Sequence, residues 1–227
     1  MTGPRRILNL LFPPKCPFCG RVLDRPGICG ACRDKLPRTE GAQREQTLGG
    51  GVRCVSPLWY EGTARDAVLR LKFGGASASA EALGGLLAQC AAELLSGEFD
   101  TVTWVPVGRR RLRARGYDQA RLLAEAACRL WDTKPLPLLN KPRDNPAQSG
   151  LTGPAARRAN VLGVYQAEPA LTRGRRILVI DDVVTTGATL GECAGELFRA
   201  GAAAVACAAL TRTPDESAEK PACRTEP

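Results

Sequence analysis

Asp181 and Asp182 are adjacent carboxylates, followed directly by Val183-Val184-Thr185-Thr186-Gly187-Ala188-Thr189. Ionised carboxylates only accept hydrogen bonds, so the pair suits ribose hydroxyls and a nearby magnesium ion but not a phosphate. Threonine hydroxyls, the N–H groups of a glycine-containing turn and the positive end of a following helix suit the phosphate instead. The segment from Asp181 to Thr189 thus carries groups for both halves of a ribose 5-phosphate. Taken singly, an Asp-Asp pair reads as readily as a solvated turn, and the threonines as a helix cap.

Arg109, Arg110, Arg111, Arg113 and Arg115 fall within seven residues, with no acid between them. Such a run repels itself unless it is solvated or bound to an anion. Guanidinium groups match phosphate oxygens bidentately. The run therefore reads as a site for pyrophosphate or a nucleic-acid backbone, or else as a screened surface loop. Lys72, at the end of an expected helix, fits a contact to the same anion or simple C-terminal capping. Of the few aromatic residues, Phe18 and Tyr117 are the positions expected to stack on a base.

Cys16-Pro17-Phe18-Cys19 is followed, nine residues on, by Cys29-Gly30-Ala31-Cys32. Two close pairs of thiolates can grip a tetrahedral zinc ion, and with all four positions filled by protein that zinc is structural. Paired redox sites or disulfides use the same spacing and form the alternative. Cys54, Cys90, Cys128, Cys193, Cys207 and Cys223 lie mostly on apolar faces or in the tail, where packing accounts for them.

These groups need a scaffold, and the hydrophobic pattern supplies one. Strands are expected at Val55 to Tyr60, Thr101 to Val107, Ile177 to Ile180 and Ala203 to Leu210. Helices are expected at Ala64 to Lys72 and on the faces Leu83/Leu86/Leu87/Cys90/Leu94, Leu122/Leu123/Ala126/Ala127/Leu130 and Leu190/Cys193/Ala194/Leu197/Phe198. The alternation predicts an α/β domain, a mostly parallel sheet with helices on both faces whose ligands bind beyond the carboxyl ends of the strands. Trp59, Trp104 and Trp131 are expected in the core. The expected division is residues 1–50 as a cysteine-rich zinc module and linker, 51–213 as the α/β domain, and 214–227 as a disordered tail.

Composition narrows the function. The chain has 227 residues, a formal charge of +9 and no histidine, which favours anionic partners and excludes any histidine-dependent triad or general base within it. The N-terminal apolar run is too short for a secretory signal, and no stretch approaches the length of a membrane span. The expectation is a cytoplasmic protein with no membrane insertion.

Ile177 to Thr189, four apolar residues, two acids, two apolar residues and then Thr-Thr-Gly-Ala-Thr, resembles the signature of the type I phosphoribosyltransferases. That resemblance implies that Asp181 and Asp182, the catalytic carboxylates, hold the ribose 2′- and 3′-hydroxyls of phosphoribosyl pyrophosphate with its magnesium, while Thr185 to Thr189 hold its 5-phosphate. Arg113-Ala114-Arg115-Gly116-Tyr117-Asp118-Gln119 resembles a motif of the ComF family, with Asp118 in place of the commoner Asn. Gln148 to Leu151, Arg157-Arg158 and Asn160-Val161 resemble that family's next block, and the context of Lys72 recurs in it. ComF proteins also begin with a cysteine-rich module, so the resemblance runs from residue 5 to 212. It implies a phosphoribosyl pyrophosphate-binding protein that acts in the uptake of single-stranded DNA during natural transformation, alongside other DNA-uptake proteins. An active phosphoribosyltransferase of nucleotide or base salvage is the alternative. No segment identifies an acceptor nucleophile.

Overall fold

The structure is a computed structural model and describes residues 13–73, 77–142 and 162–214. Its main sheet contains β1 (Glu45–Thr47), β2 (Arg53–Val55), β3 (Leu58–Trp59), β4 (Thr101–Trp104), β7 (Arg176–Val184) and β8 (Ala204–Arg212). A separate hairpin pairs β5 (Leu139–Asn140) with β6 (Gln166–Ala167). The strand order is β1-β2-β8-β7-β4, with β3 also paired to β8. All the pairings of the main sheet are parallel except that of β1 with β2.

The helices are α1 (Gly30–Arg33), α2 (Gly62–Phe73), α3 (Ser77–Leu94), α4 (Arg109–Arg115), α5 (Gln119–Leu130), α6 (Pro169–Thr172) and α7 (Ala188–Arg199). The central strands β7 and β8 are buried almost end to end, which is why they read as continuous apolar runs. Their side chains alternate between two cores. Leu178, Ile180, Ala206, Ala208 and Leu210 face one, shared with Val68 and Leu71 of α2, Leu83 and Leu87 of α3 and Leu123 of α5. Ile177, Val179, Val205, Cys207 and Ala209 face the other, under Leu190, Cys193 and Leu197 of α7. Helices therefore cover both faces, and the parallel strands end at one rim, where Val184 and Trp59 both pair with Arg212.

Several boundaries differ from the sequence expectation. The strand expected to stop at Ile180 continues through both aspartates to Val184, because β8 extends beside it to Arg212. The strand expected over Val55 to Tyr60 breaks at Ser56-Pro57, since proline has no N–H for the ladder. The one expected to reach Val107 ends at Trp104, ahead of Pro106. The basic run expected as a loop is the helix α4. Leu130 and Phe198, expected on buried faces, are exposed, and the three tryptophans are half-buried. Residues 45–55, across the expected boundary, contribute β1 and β2; Arg212 fastens the approach to β1 by donating to the carbonyls of Gln43 and Glu45 at 2.7 and 3.0 Å.

Where α3 meets α5, a Cβ on Gly84 would lie 2.5 Å from the Ala126 methyl and 3.0 Å from the Leu123 carbonyl. The helices approach this closely only because residue 84 lacks a side chain. Gly84→Ala is expected to destabilise by ~1–3 kcal/mol through overpacking, although alanine is the better helix former. A melting temperature at or above the parent's would contradict it.

Candidate functional site

Consecutive residues of a strand point to opposite faces, and this decides the surroundings of the two aspartates. Asp182 lies on the α2 side, in register with Leu178 and Ile180. Lys72, from the last turn of α2, places its Nζ 2.8 Å from Asp182 Oδ2. Thr211 donates its hydroxyl to the Asp182 carbonyl at 3.0 Å. Asp181 lies on the α7 side, and its Oδ1 accepts the Asp182 N–H at 2.8 Å. Both are buried, at 8 % and 5 % exposure.

Their titrations diverge accordingly. Burial works against ionisation of Asp182, but the Lys72 ammonium outweighs it and holds the carboxyl below the usual range. Burial pushes the Asp181 carboxyl well above that range, and the neighbouring Asp182 charge adds to the effect. Lys72 is itself held above its ordinary value: burial opposes its charge, and the Asp182 charge overcomes the penalty. The two carboxyls are thus pushed in opposite directions, as two acids in one dry site tend to be.

Beyond Val184 the chain turns through Thr185-Thr186-Gly187 into α7. Gly187 occupies the left-handed region at φ 73°, and no side chain caps the helix, so its first N–H groups face the turn. Asp181, Val183, Thr185, Gly187, Ala188 and Thr189 line a shallow concavity here. Leu48 closes the back of the turn; a Cβ on Gly187 would come within 2.5 Å of its Cδ2.

The five arginines form α4, which follows β4 on the same rim. It buries none of its side chains, and like charges stack at Arg109/Arg113 and Arg111/Arg115, a spacing that destabilises a helix. Gly116, at φ 78°, closes its end by donating to the Leu112 carbonyl at 2.8 Å. Asp118 then holds the junction. Its Oδ2 accepts from Val107 N at 3.0 Å, and its Oδ1 accepts from Ala120 N and Arg121 N at 3.1 and 3.2 Å, capping α5. Both carboxylate oxygens are acceptors here; an Asn could supply the oxygen that caps α5 but not the second acceptor taken by the Val107 N–H.

The four cysteine sulfurs at positions 16, 19, 29 and 32 lie within 4.8 Å of one another, near the edge of about 3.8 Å that four 2.3 Å bonds to a tetrahedral ion require. Gly20, at φ 75°, donates to the Cys16 carbonyl at 2.8 Å and turns the first knuckle. In the second, Cys29 begins α1, which carries Cys32 round to the same side. The arrangement supports a structural zinc with no open position. Cys54, Cys90, Cys128, Cys193 and Cys207 are buried, and burial pushes the thiols of Cys54 and Cys128 up to about 12.

Two expectations are overturned here. Phe18 is only 1 % exposed, packed in the core beside α2, and cannot stack on a base. Tyr117 packs partly buried against the same core and donates its hydroxyl to the Leu71 carbonyl at 2.8 Å. The block from Gln148 to Val161 lies outside the described residues. The sequence reading missed Tyr165 and Lys141, which the β5–β6 hairpin brings together. The Lys141 ammonium stands 5.0 Å over the Tyr165 ring, and burial holds the ring's hydroxyl above its usual range. Neither residue belongs to a periodic face or a motif, so only the fold reveals them.

Comparison with known proteins agrees with this arrangement. Residues 7–43 match the double zinc ribbon domain and residues 114–226 the phosphoribosyl transferase domain. The chain is 32 % identical over 210 residues to the DNA utilization protein YhgH of Escherichia coli K12, covering 87 % of this chain and 84 % of that protein. It is 27 % identical over 189 residues to the competence protein ComFC of Bacillus subtilis, covering 83 % and 73 %. Among solved structures, glutamine phosphoribosylpyrophosphate amidotransferase from B. subtilis aligns with a TM-score of 0.42 and 19 % identity, over 63 % of this chain and 30 % of that one. By the two domain matches, the fold is of the type I phosphoribosyltransferase kind, preceded by a double zinc ribbon.

Proposed function

The chain belongs to the ComF family, and from that premise we propose that it binds phosphoribosyl pyrophosphate at the Asp181–Thr189 segment and handles single-stranded DNA along the rim marked by α4, in DNA uptake or utilisation. The observation that carries the first half is the divergent carboxyl pair above an uncapped helix start, with Lys72 on Asp182 and Gly187 in the turn. Asp181 and Asp182 would take the ribose hydroxyls, and Thr185 to Thr189 the 5-phosphate. Magnesium fits the same hard oxygen donors and would offset the charge of the pyrophosphate. Arg109, Arg110, Arg111, Arg113 and Arg115, crowded on a helix that buries nothing, are the groups whose mutual repulsion a phosphate would relieve.

The test follows from the titrations. Burial and the Asp182 charge push the Asp181 carboxyl well above its usual range, and it accepts hydrogen bonds from a ribose best when ionised. Binding of magnesium phosphoribosyl pyrophosphate is therefore expected to release a proton and to strengthen as pH rises toward the raised Asp181 value. Calorimetry in two buffers of different ionisation enthalpy reads this directly, and Asp181→Asn should abolish the release. No heat of binding at any pH would overturn the reading.

A further inference from the structure

Phe73 is the last residue of α2 and 72 % exposed, the highest exposure among the large apolar side chains of the described residues. An isolated exposed apolar residue needs no explanation, but this one is not isolated. The Arg115 guanidinium lies over the Phe73 ring, 5.0 Å from its centroid. Arg115 is held from its other side by Gln119, accepting at 2.9 Å. One turn before it on α4 stands Leu112, 43 % exposed. The ring therefore stands at the end of the arginine helix, one residue along α2 from the Lys72 that reaches Asp182.

We infer that Phe73, backed by Arg115, is a stacking platform for a nucleobase, and that its occupant is a base of single-stranded DNA whose phosphates lie along α4. The inference rests on the nucleic-acid half of the function proposed above. Charge selects the occupant: an exposed aromatic ring against Arg115, at the end of a helix with five arginines, favours a ligand that is aromatic and polyanionic at once, and a single strand is both. Of the two aromatic residues that the sequence favours, Phe18 is core, and Tyr117 is part-buried with its hydroxyl on the Leu71 carbonyl, so Phe73 is the more exposed ring. Every base has a π-face, so the platform would be tolerant of sequence.

The experiment compares Phe73→Ala and Phe73→Trp with the parent on an oligothymidylate and on an abasic strand of equal length, over a range of salt. Phe73→Ala should weaken oligothymidylate binding by about tenfold, leave the salt slope unchanged because no phosphate contact is lost, and leave the abasic strand unaffected. Phe73→Trp should restore binding. Equal affinity of Phe73→Ala and parent for oligothymidylate would overturn the inference, as would a loss that extends to the abasic strand. An effect confined to free nucleotides would assign the platform to a small-molecule acceptor, and a shift from dimer to monomer alone would assign it to self-association; either result overturns the proposed occupant. A parent that binds no strand overturns the nucleic-acid reading as a whole, whereas a parent that binds equally well without Phe73 overturns this inference alone.

Discussion

Asp182→Asn is expected to lower the melting temperature by about 10 °C, whereas the neighbouring Asp181→Asn should not lower it. The two changes are chemically identical and adjacent, so the difference isolates environment. Asp182 is the counter-charge of Lys72 at 2.8 Å in a buried position. Removing its charge takes away the ion-pair partner of a buried ammonium, at a cost of ~3–5 kcal/mol; each kcal/mol is worth roughly 2–4 °C in a chain of this size. Burial and the neighbouring charge already disfavour ionisation of Asp181, so an amide of similar volume there removes no favourable charge. Lys72→Met combined with Asp182→Asn should recover most of the loss, because the stranded charge goes with its partner. Equal destabilisation by the two single changes would show that the pair shares its charge evenly.

The same asymmetry sets opposite pH dependences. Asp182 has a depressed folded-state value, so its contribution to stability is present above the unfolded value, near 4, and fades as pH falls through the folded one. Asp181 has a raised value, so its contribution is complete below the unfolded value and shrinks as pH rises through the folded one. Denaturant midpoints measured against pH should therefore fall on both sides of an optimum, and Asp181→Asn should remove the decline on the alkaline side only.

Much of this was legible in the residues, for identifiable reasons. Ile177 to Ile180 and Ala203 to Leu210 are apolar runs because they are covered on both faces, and Leu83, Leu87, Leu123 and Leu190 mark helix faces because burial repeats every turn. The four cysteines were legible because a tetrahedral ion imposes the spacing of its ligands. What escaped were features set by distant chain. The extension of β7 through Asp181 and Asp182 depends on β8 running on to Arg212, and it sends the two acids to opposite sides. Nothing local to Lys72 says that it meets Asp182, more than a hundred residues away. The arginine run, lying between a strand and a helix, reads as a loop, whereas the glycine at its end and Asp118 beyond it fix a short helix that its like charges oppose.

The zinc module is expected to unfold together with the α/β domain rather than before it, and Phe18→Ala should destabilise the whole chain by ~3–5 kcal/mol without changing zinc content. Phe18 lies between two zinc-site cysteines in sequence, yet its ring is 1 % exposed, in the core that Leu71 and Leu87 share. Arg70 of α2 donates from Nη1 to the carbonyl of Pro17 at 3.0 Å and also to that of Phe18. The first knuckle is therefore pinned to the helix that carries Lys72, and the zinc that shapes this knuckle also seats Phe18 in the larger core. A ribbon of this size has little core of its own, so the free energy of metal binding is folding free energy for both parts. The measurement follows tryptophan fluorescence, which reports only on Trp59, Trp104 and Trp131 outside the ribbon, while a coloured chelator reports zinc release on heating. Coincident transitions are expected, with Phe18→Ala lowering both by the same interval. Zinc release many degrees below an unchanged fluorescence transition would show instead that the ribbon is an independent appendage, and that Phe18 holds its place in the core without the metal.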